Sequence, residues 1–259
     1  MSGSRMHILL TNDDGIQARG ILRLCEVLVE AGHRVSVCAP DRERSAASHS
    51  ATLRAPMYPV PVQLPPSERA WQVDGTPADC ARLGLYLLRE DPPDLVIAGI
   101  NRGMNMGGAC IYSGTVAAAM EAAMNGTQAL AVSLFIEDWS GGEDYTAAAR
   151  LAERVARWAV RHPLPRGVIY NLNVPPLPYG KLRGLVPAKL APIYLSTPEY
   201  EPGRDGQGVC YTLKNGASPP MEDPDYDVVR VEQGYAAITK LTWDFRAPED
   251  DAELAEIGI

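Results

Sequence analysis

Two adjacent carboxylates, Asp13 and Asp14, follow a short apolar run near the start of the chain. Neighbouring carboxylates at the end of a strand are typical ligands for a divalent cation that prefers oxygen. The tetrapeptide at 12–15, Asn-Asp-Asp-Gly, is also a common turn sequence, because these residues tolerate turn conformations. Taken alone, the motif therefore favours a metal site and an ordinary turn equally.

Two later loops carry further oxygen donors. The segment 41–50 is rich in hydroxyl groups and contains Ser45, whereas Asn101 and Asn105 follow another apolar run. Each of these residues alone is more typical of a solvated loop or a turn. If the three apolar runs are parallel strands, their carboxyl ends meet at one crevice. The carboxylate, hydroxyl and carboxamide oxygens gathered there would suit Mg²⁺, Mn²⁺ or Ca²⁺ rather than Zn²⁺.

A third feature is the Ser-Gly-Thr sequence at 113–115, which precedes an alanine-rich segment. A serine or threonine at this position caps a helix without any further function. Free N–H groups and the helix dipole can also bind phosphate there, and a glycine lets the anion approach the backbone. His49 is a candidate proton donor, although a surface histidine is the commoner role. Thr76 followed by Pro77 is explained by helix capping.

The elements that must position these residues alternate along the first two-thirds of the chain. Short apolar runs predict buried strands, and segments with apolar residues at helical spacing predict helices between them. Such alternation is typical of an α/β fold, a Rossmann-like parallel sheet with helices on both faces. The predicted strands are 7–11, 34–39, 94–99, 129–135 and 168–174, and the predicted helices are 21–31, 78–89, 115–125 and 144–162.

The pattern changes after residue 175. The segment 175–224 is rich in Pro, Gly and Tyr and has no helical period, which predicts an irregular or hairpin arm that projects from the sheet. Two short strands at 228–231 and 236–241 and a terminal helix at 250–257 are expected to follow. The chain thus divides into a metal- and phosphate-binding core, 1–175, and an arm, short strands and tail, 176–259, which we expect to serve oligomerisation.

Composition limits the cellular context and the partners. The 259 residues carry a net charge of −8, which gives no electrostatic reason to bind a nucleic acid polymer. The five cysteines are odd in number and lack a Cys-x-x-Cys spacing, which favours a reducing compartment over a disulfide framework. The apolar run at the start is too short for a signal peptide or a membrane span. We therefore expect a cytoplasmic protein without a membrane partner.

Several motifs, taken together, resemble those of one family. The sequence is similar to the SurE family, the stationary-phase survival proteins that act as nucleoside monophosphate phosphatases. No single motif is specific, but all occur in the family's order over nearly the whole chain. The matching segments are 10–16, 39–45, 75–80, 99–105, 112–119, 171–175 and 233–235.

The resemblance implies a set of site residues. One divalent metal ion per subunit, Mg²⁺ or Mn²⁺, would be held by Asp13, Asp14, Ser45 and Asn101. Phosphate would be bound by Asn12, Ser113, Gly114 and Thr115. Asn105 and His49 would lie around these groups without holding the metal.

The resemblance also implies an activity and an assembly. We expect metal-assisted hydrolysis of nucleoside 5′-monophosphates to nucleoside and phosphate, with 3′-monophosphates and polyphosphate as further candidate substrates. Family members form dimers with exchanged C-terminal segments, often paired into tetramers, so a homodimer or homotetramer is expected. Two departures bear on the site: Ala46 stands where many members have glycine, which predicts a stiffer loop. The segment 108–110 lacks an acidic residue that members often carry.

Three other classes of protein share parts of this pattern. A phosphoacceptor receiver domain also binds Mg²⁺ with an acidic pair, but it needs an aspartate at the end of its third strand, where Asn101 stands. A covalent-aspartate phosphatase needs an Asp-x-Asp spacing, whereas Asp13 and Asp14 are contiguous. A glycosyltransferase-like nucleotide binder is suggested by the sequence at 31–33. Metal-dependent turnover of p-nitrophenyl phosphate would exclude the receiver and the binder.

Overall fold

A nine-stranded sheet runs through the centre of the molecule. The structure is a computed structural model, and it describes residues 5–192, 198–215 and 220–244. The strands of this sheet are β1 (His7–Thr11), β2 (Arg34–Pro40), β3 (Val60–Pro61), β4 (Arg69–Val73), β5 (Leu95–Arg102), β6 (Ala129–Leu134), β7 (Val168–Val174), β8 (Leu185–Pro187) and β11 (Ala236–Thr242). A separate two-stranded sheet contains β9 (Pro198–Asp205) and β10 (Gly208–Asn215).

The strand order is β3-β4-β2-β1-β5-β6-β7-β11-β8. The six adjacent strands β4-β2-β1-β5-β6-β7 are all parallel. Strand β3 runs antiparallel to its neighbour β4, and β11 runs antiparallel to its neighbour β7. Because β1 lies between β2 and β5, the loops that follow these three strands leave the same edge of the sheet side by side. The predicted α/β class and the predicted convergence of these loops are therefore confirmed.

Helices cover both faces of the sheet, and the apolar residues of the strands alternate between them. The long helices are α1 (Arg19–Glu30), α2 (Pro77–Leu87), α3 (Gly114–Met124) and α4 (Thr146–Ala159). Ile8 and Leu10 of β1 pack with α1 and α4, whereas Leu9 packs on the other face with α2 and α3. Helix α3 is buried from Gly114 to Ala123, which explains its small, alanine-rich sequence.

The start of α2 has the capping function that its sequence predicts. The Thr76 hydroxyl accepts the N–H of Asp79 at 3.1 Å, and the Asp79 carboxylate accepts the N–H of Thr76 in return. Asp79 also accepts the N–H and hydroxyl of Thr52, at 2.9 and 2.7 Å, so the capping box holds the end of the loop at 41–52.

One predicted strand is wrong. The segment expected as a strand at 228–231 is a short helix, α5 (Asp227–Glu232). Val228 and Val231 are three residues apart, and both are buried against Met106. A helical turn places two such residues on one side, whereas a strand would place them on opposite faces.

Other differences concern elements that the sequence pattern did not reveal. Strands β3 and β4 lie in a segment for which the pattern predicts no element, because β3 has only two residues and the side chains of β4 mix polar and apolar types. Strands β8 and β11 extend the same sheet as the N-terminal strands, so residue 175 does not separate two sheets. The predicted projecting hairpin is present as β9 and β10, here called the arm. The predicted terminal helix at 250–257 lies outside the described residues.

Among the described residues, no helix is both long and apolar enough to span a membrane.

Candidate functional site

Asp13 lies at the centre of the site, at the point where β1 ends beside the start of α3. Its side chain is 4% exposed. The Thr115 hydroxyl donates a hydrogen bond to one carboxylate oxygen of Asp13, and the Thr115 N–H donates to the other at 3.2 Å. The main-chain N–H of Arg44 donates to the Asp13 carbonyl at 2.7 Å, which attaches the second loop to the first. These bonds fix the position of the carboxylate before any ligand arrives.

Asp14 lies next to it and is held from β5. Its carboxylate accepts the main-chain N–H of Arg102 at 3.0 Å. The Arg102 guanidinium is directed to Glu143 instead, with Nε 2.7 Å from Oε1, and it stacks over Trp139 at 4.9 Å. Arg102 therefore orients Asp14 through its backbone and places its charge mainly on Glu143.

Burial and mutual repulsion make this pair of carboxylates costly to ionise. Burial, and then the negative charge of Asp13, raises the pKa of Asp14 to about 7. Burial also raises the pKa of Asp13, although the hydrogen bonds from Thr115 oppose this effect. Two adjacent buried carboxylates are stabilised when a cation neutralises them. The electrostatics of the protein alone thus favour a positively charged ligand at this point.

A cleft of 720 Å³ opens over Asp13. It is bordered by three of the four predicted metal ligands, Asp13, Ser45 and Asn101, and also by Asn105 and Ser113. The fourth predicted ligand, Asp14, accepts a hydrogen bond from the main-chain N–H of Arg102, the residue that follows Asn101. The Asn101 Nδ2 group donates to the Gly103 carbonyl at 2.9 Å, so the carboxamide oxygen is the atom that can act as a ligand.

Ser45 is the most exposed member of this set. Its hydroxyl donates to Glu43 Oε1 at 2.6 Å. The next residue, Ala46, has φ 54°, in the left-handed region that favours glycine. Many members of the family that the sequence resembles have glycine at this position, and the backbone conformation of the loop explains that preference.

The donor atoms fit a hard divalent cation. No group of three or more His, Cys, Asp and Glu side chains in the described ranges could hold a metal. A site here must therefore combine the two carboxylates with neutral oxygens. The Asn12 Oδ1 atom is one such oxygen, since it is buried and has no hydrogen-bond partner among the described residues, while Nδ2 donates to the Gly15 carbonyl at 2.8 Å. An all-oxygen set of this kind suits Mg²⁺ or Mn²⁺.

The predicted phosphate-binding residues have structural contacts of their own. Ser113 caps α3, with its hydroxyl accepting the Val116 N–H at 3.0 Å, and it also borders the cleft. Thr115 uses its hydroxyl and its N–H on Asp13. Gly114 packs against the Asp13 side chain. Thr115 therefore positions the Asp13 carboxylate through these two hydrogen bonds.

His49 does not border the cleft over Asp13. Its Nε2 atom lies 2.9 Å from Glu121 Oε2 on α3, and the hydrogen bond from His49 lowers the pKa of Glu121. The ring borders a neighbouring cavity of 310 Å³, whose wall also includes Ser113 and Trp243. The structure thus separates His49 from the carboxylates and pairs it with Glu121.

A buried network of asparagines holds the loop that follows Asn101. The Asn105 N–H donates to Asn173 Oδ1 at 2.9 Å, and the Asn105 carbonyl accepts Nδ2 of both Asn171 and Asn173 at 2.9 Å. The Asn105 side chain donates to the Ser133 hydroxyl at 2.8 Å. Asn171 and Asn173 belong to the segment 171–175 that resembles the family, and two asparagines inside an apolar strand were the available signal of this role.

Removing Asn173 is expected to destabilise the protein measurably. In Asn173→Ala, the buried N–H of Asn105 loses its partner, which costs about 1–3 kcal/mol. Urea unfolding at neutral pH measures this change. Asn125→Ala is a suitable control, because Asn125 is exposed and, within the described part of the chain, its side chain donates only to Glu121, four residues earlier on α3. Equal unfolding free energies for the two variants would contradict the role of Asn173.

The fold and the geometry define the class of protein first: an α/β protein with an acidic, oxygen-lined centre at the carboxyl edge of a parallel sheet. Comparisons with known proteins then identify the family. The sequence profile of the family described as survival protein SurE matches residues 8–195. The chain belongs to the SurE family.

Individual relatives match the chain over nearly their full length. The chain is 43% identical over 246 residues to a protein named 5′-nucleotidase SurE from Synechococcus sp. (strain JA-3-3Ab), covering 93% of each chain. It is 41% identical to 5′-nucleotidase SurE from Moorella thermoacetica, covering 96% of this chain and 95% of the relative. The crystal structure of the SurE protein from Aquifex aeolicus matches with a TM-score of 0.82 and 29% identity, covering 97% of this chain and 98% of that one.

Proposed function

We propose that the protein is a divalent-metal-dependent phosphatase that hydrolyses nucleoside 5′-monophosphates to nucleoside and phosphate. The observation that carries the proposal is the buried Asp13 carboxylate, which borders an open cleft beside the start of α3 and has the half-buried Asp14 next to it. The names of the relatives support the nucleotide as substrate. The oxygen donors support one Mg²⁺ or Mn²⁺ ion per subunit, held by Asp13, Asp14, Ser45 and Asn101.

Each residue of the site has a task in this reaction. A bound divalent metal supplies Lewis-acid polarisation of a phosphoryl oxygen and activation of a water molecule. Thr115 and the Arg102 N–H hold the two carboxylates in fixed positions. Because Asp13 and Ser113 take up the N–H groups of Thr115 and Val116, the phosphate would be held through the Gly114 N–H at the start of α3 and the second Nδ2 hydrogen of Asn12 at the end of β1. Such preorganised donors stabilise charge as it moves in the transition state.

Phosphate release from AMP by the purified full chain tests this function. We expect turnover that is lost after treatment with a chelator and restored by Mg²⁺ or Mn²⁺. Turnover that persists in the chelator would contradict the metal, and a protein that is inactive on AMP with either metal would contradict the function. A panel of nucleoside 3′-monophosphates and polyphosphate then defines the substrate range.

We also propose a homodimer or homotetramer in which the arm contributes to the interface. The arm forms a sheet of its own, and its Val209 and Tyr211 are largely exposed. An isolated hairpin is marginally stable in water, so a further surface would stabilise it. Truncation from Lys240 is not a clean test, because it removes the end of β11 from the central sheet. Light scattering on the full chain and on a Tyr211→Glu variant is the better test, and a monomeric full chain at micromolar concentration would contradict the assembly.

A further inference from the structure

The cleft over Asp13 has two chemically different sides. Its floor consists of the polar groups already described, which end β1 and β5 and begin α3. Its roof is formed by the arm, from which Tyr200 and Leu213 border the same 720 Å³ space. Met104 and Tyr112, which lie outside the arm, add apolar surface to the same space. Lys214 of the arm also borders the space, and its Nζ atom lies 2.9 Å from Glu201. The cleft thus joins a site for a charged group to a site for a flat apolar group.

The arm presents its apolar side chains as a pair. Tyr200 on β9 and Leu213 on β10 are directly opposite each other in the antiparallel register, so both side chains lie on one face of the hairpin. The Tyr200 side chain is nevertheless 61% exposed. A large apolar pair that borders a cleft and retains this exposure has surface available for a ligand.

The part of the cleft that Tyr112 provides is fixed to the core. Tyr112 ends a short 3₁₀ turn (Gly107–Tyr112) and is 52% exposed. The Ser48 N–H donates to the Tyr112 carbonyl at 3.0 Å, and the Ser48 hydroxyl donates to the Ile111 carbonyl at 2.6 Å. Since Ser48 belongs to the same loop as Ser45, one loop connects the aromatic wall to the polar floor.

We propose that Tyr200 and Leu213 of the arm, together with Tyr112, form the subsite for the nucleobase of the substrate. This inference rests on the proposed nucleotidase function and specifies how the site would select its substrate. With the phosphate at the carboxylate floor, the sugar extends away from β1 and the base reaches the apolar part of the cleft. Aromatic side chains bind bases by stacking, which depends little on base identity. The arm therefore selects nucleotides over phosphate esters without a base.

Kinetics on two substrates tests this role. AMP carries a base and ribose 5-phosphate does not, while both present a phosphate monoester on a ribose. In Tyr200→Ala we expect kcat/KM for AMP to fall roughly tenfold through KM, because one stacking contact is removed. For ribose 5-phosphate we expect no change. Tyr200→Phe keeps the ring and is expected to retain the wild-type preference.

The arm also offers a matched control. Tyr211 lies on the same face of the hairpin, opposite Pro202, and is 67% exposed. Among the described residues, it is not one of those that border the cleft. Tyr211→Ala should therefore leave the ratio of kcat/KM for AMP to kcat/KM for ribose 5-phosphate unchanged. Any change of assembly that follows from altering the arm would affect both tyrosine variants and both substrates.

Three results would overturn the subsite. They are an equal loss for both substrates in Tyr200→Ala, an unchanged KM for AMP in that variant, and a wild-type enzyme that uses ribose 5-phosphate as well as AMP. Calorimetric titration with AMP and ribose 5-phosphate provides a readout that does not depend on turnover. If the wild-type protein binds AMP through Tyr200 but does not hydrolyse it, the proposed function fails and the subsite stands.

Discussion

Asp13→Asn is expected to lose metal binding and to reduce AMP turnover by about a thousandfold. The substitution removes one full negative charge from a centre that has two carboxylates and otherwise neutral oxygens. A metal ion contributes several kcal/mol to the stabilisation of such a transition state, and each 1.36 kcal/mol corresponds to a factor of ten in rate. The effect should persist at saturating Mn²⁺, because a metal ion bound without the Asp13 carboxylate would no longer be fixed in position relative to the phosphate.

The fold is expected to survive this change. Asn has nearly the shape of Asp, and its carboxamide oxygen can still accept a hydrogen bond from Thr115. Because burial disfavours the charged form of Asp13, its neutral replacement should leave the unfolding free energy of the metal-free protein unchanged or slightly increased. Calorimetric titration with Mn²⁺, thermal unfolding and AMP kinetics on one preparation separate these effects.

A second acidic substitution controls for the loss of charge. Asp138 is exposed and bonds to its neighbour Ser140, outside the residues that border the cleft. Asp138→Asn changes the net charge by the same amount and should bind Mn²⁺ and hydrolyse AMP like the wild type. Wild-type turnover in Asp13→Asn would remove this carboxylate from the mechanism, whatever the metal does elsewhere.

The sequence predicts the position of this centre because the signals are local. Strands β1, β2 and β5 are mostly apolar and almost wholly buried, as expected for strands covered on both faces. The polar loops follow them directly, and a parallel sheet brings the loops together whatever the rest of the chain does. The capping residues Thr76 and Ser113 are likewise local, since their partners lie three residues further along the chain.

The remaining features depend on contacts between distant parts of the chain. The sequence cannot show that the Thr115 hydroxyl is bonded to Asp13, 102 residues away, instead of facing a phosphate. The same holds for Asn173 and Asn105, which are 68 residues apart. Val228 and Val231 fit a strand or a helix by local pattern, and the buried cluster that they join decides between the two. The position of the arm over the cleft is a tertiary contact of the same kind.

Gly114→Ala is expected to lower AMP turnover by about a hundredfold. Gly114 begins α3 with ordinary helical geometry, so its backbone tolerates alanine. An added Cβ atom, however, would lie 2.9 Å from Asp13 Cβ and 3.0 Å from Asp13 Oδ2, and 2.9 Å from Pro77 Cγ on the other side. The Asp13 side chain must therefore move away from α3. A displacement of about 1 Å in a catalytic group can cost roughly a hundredfold in rate.

Helix propensity alone predicts no loss of activity, so the experiment distinguishes the two effects. Alanine stabilises a helix by about 1 kcal/mol relative to glycine, so without the contact to Asp13 the variant would be more stable and fully active. Gly180→Ala provides the matched control, because a Cβ atom at Gly180 would meet nothing within 4 Å. Mn²⁺ affinity and AMP kinetics should be weakened in Gly114→Ala and unchanged in Gly180→Ala. Wild-type metal affinity in Gly114→Ala would show that the packing of α3 against Asp13 does not set the geometry of the centre.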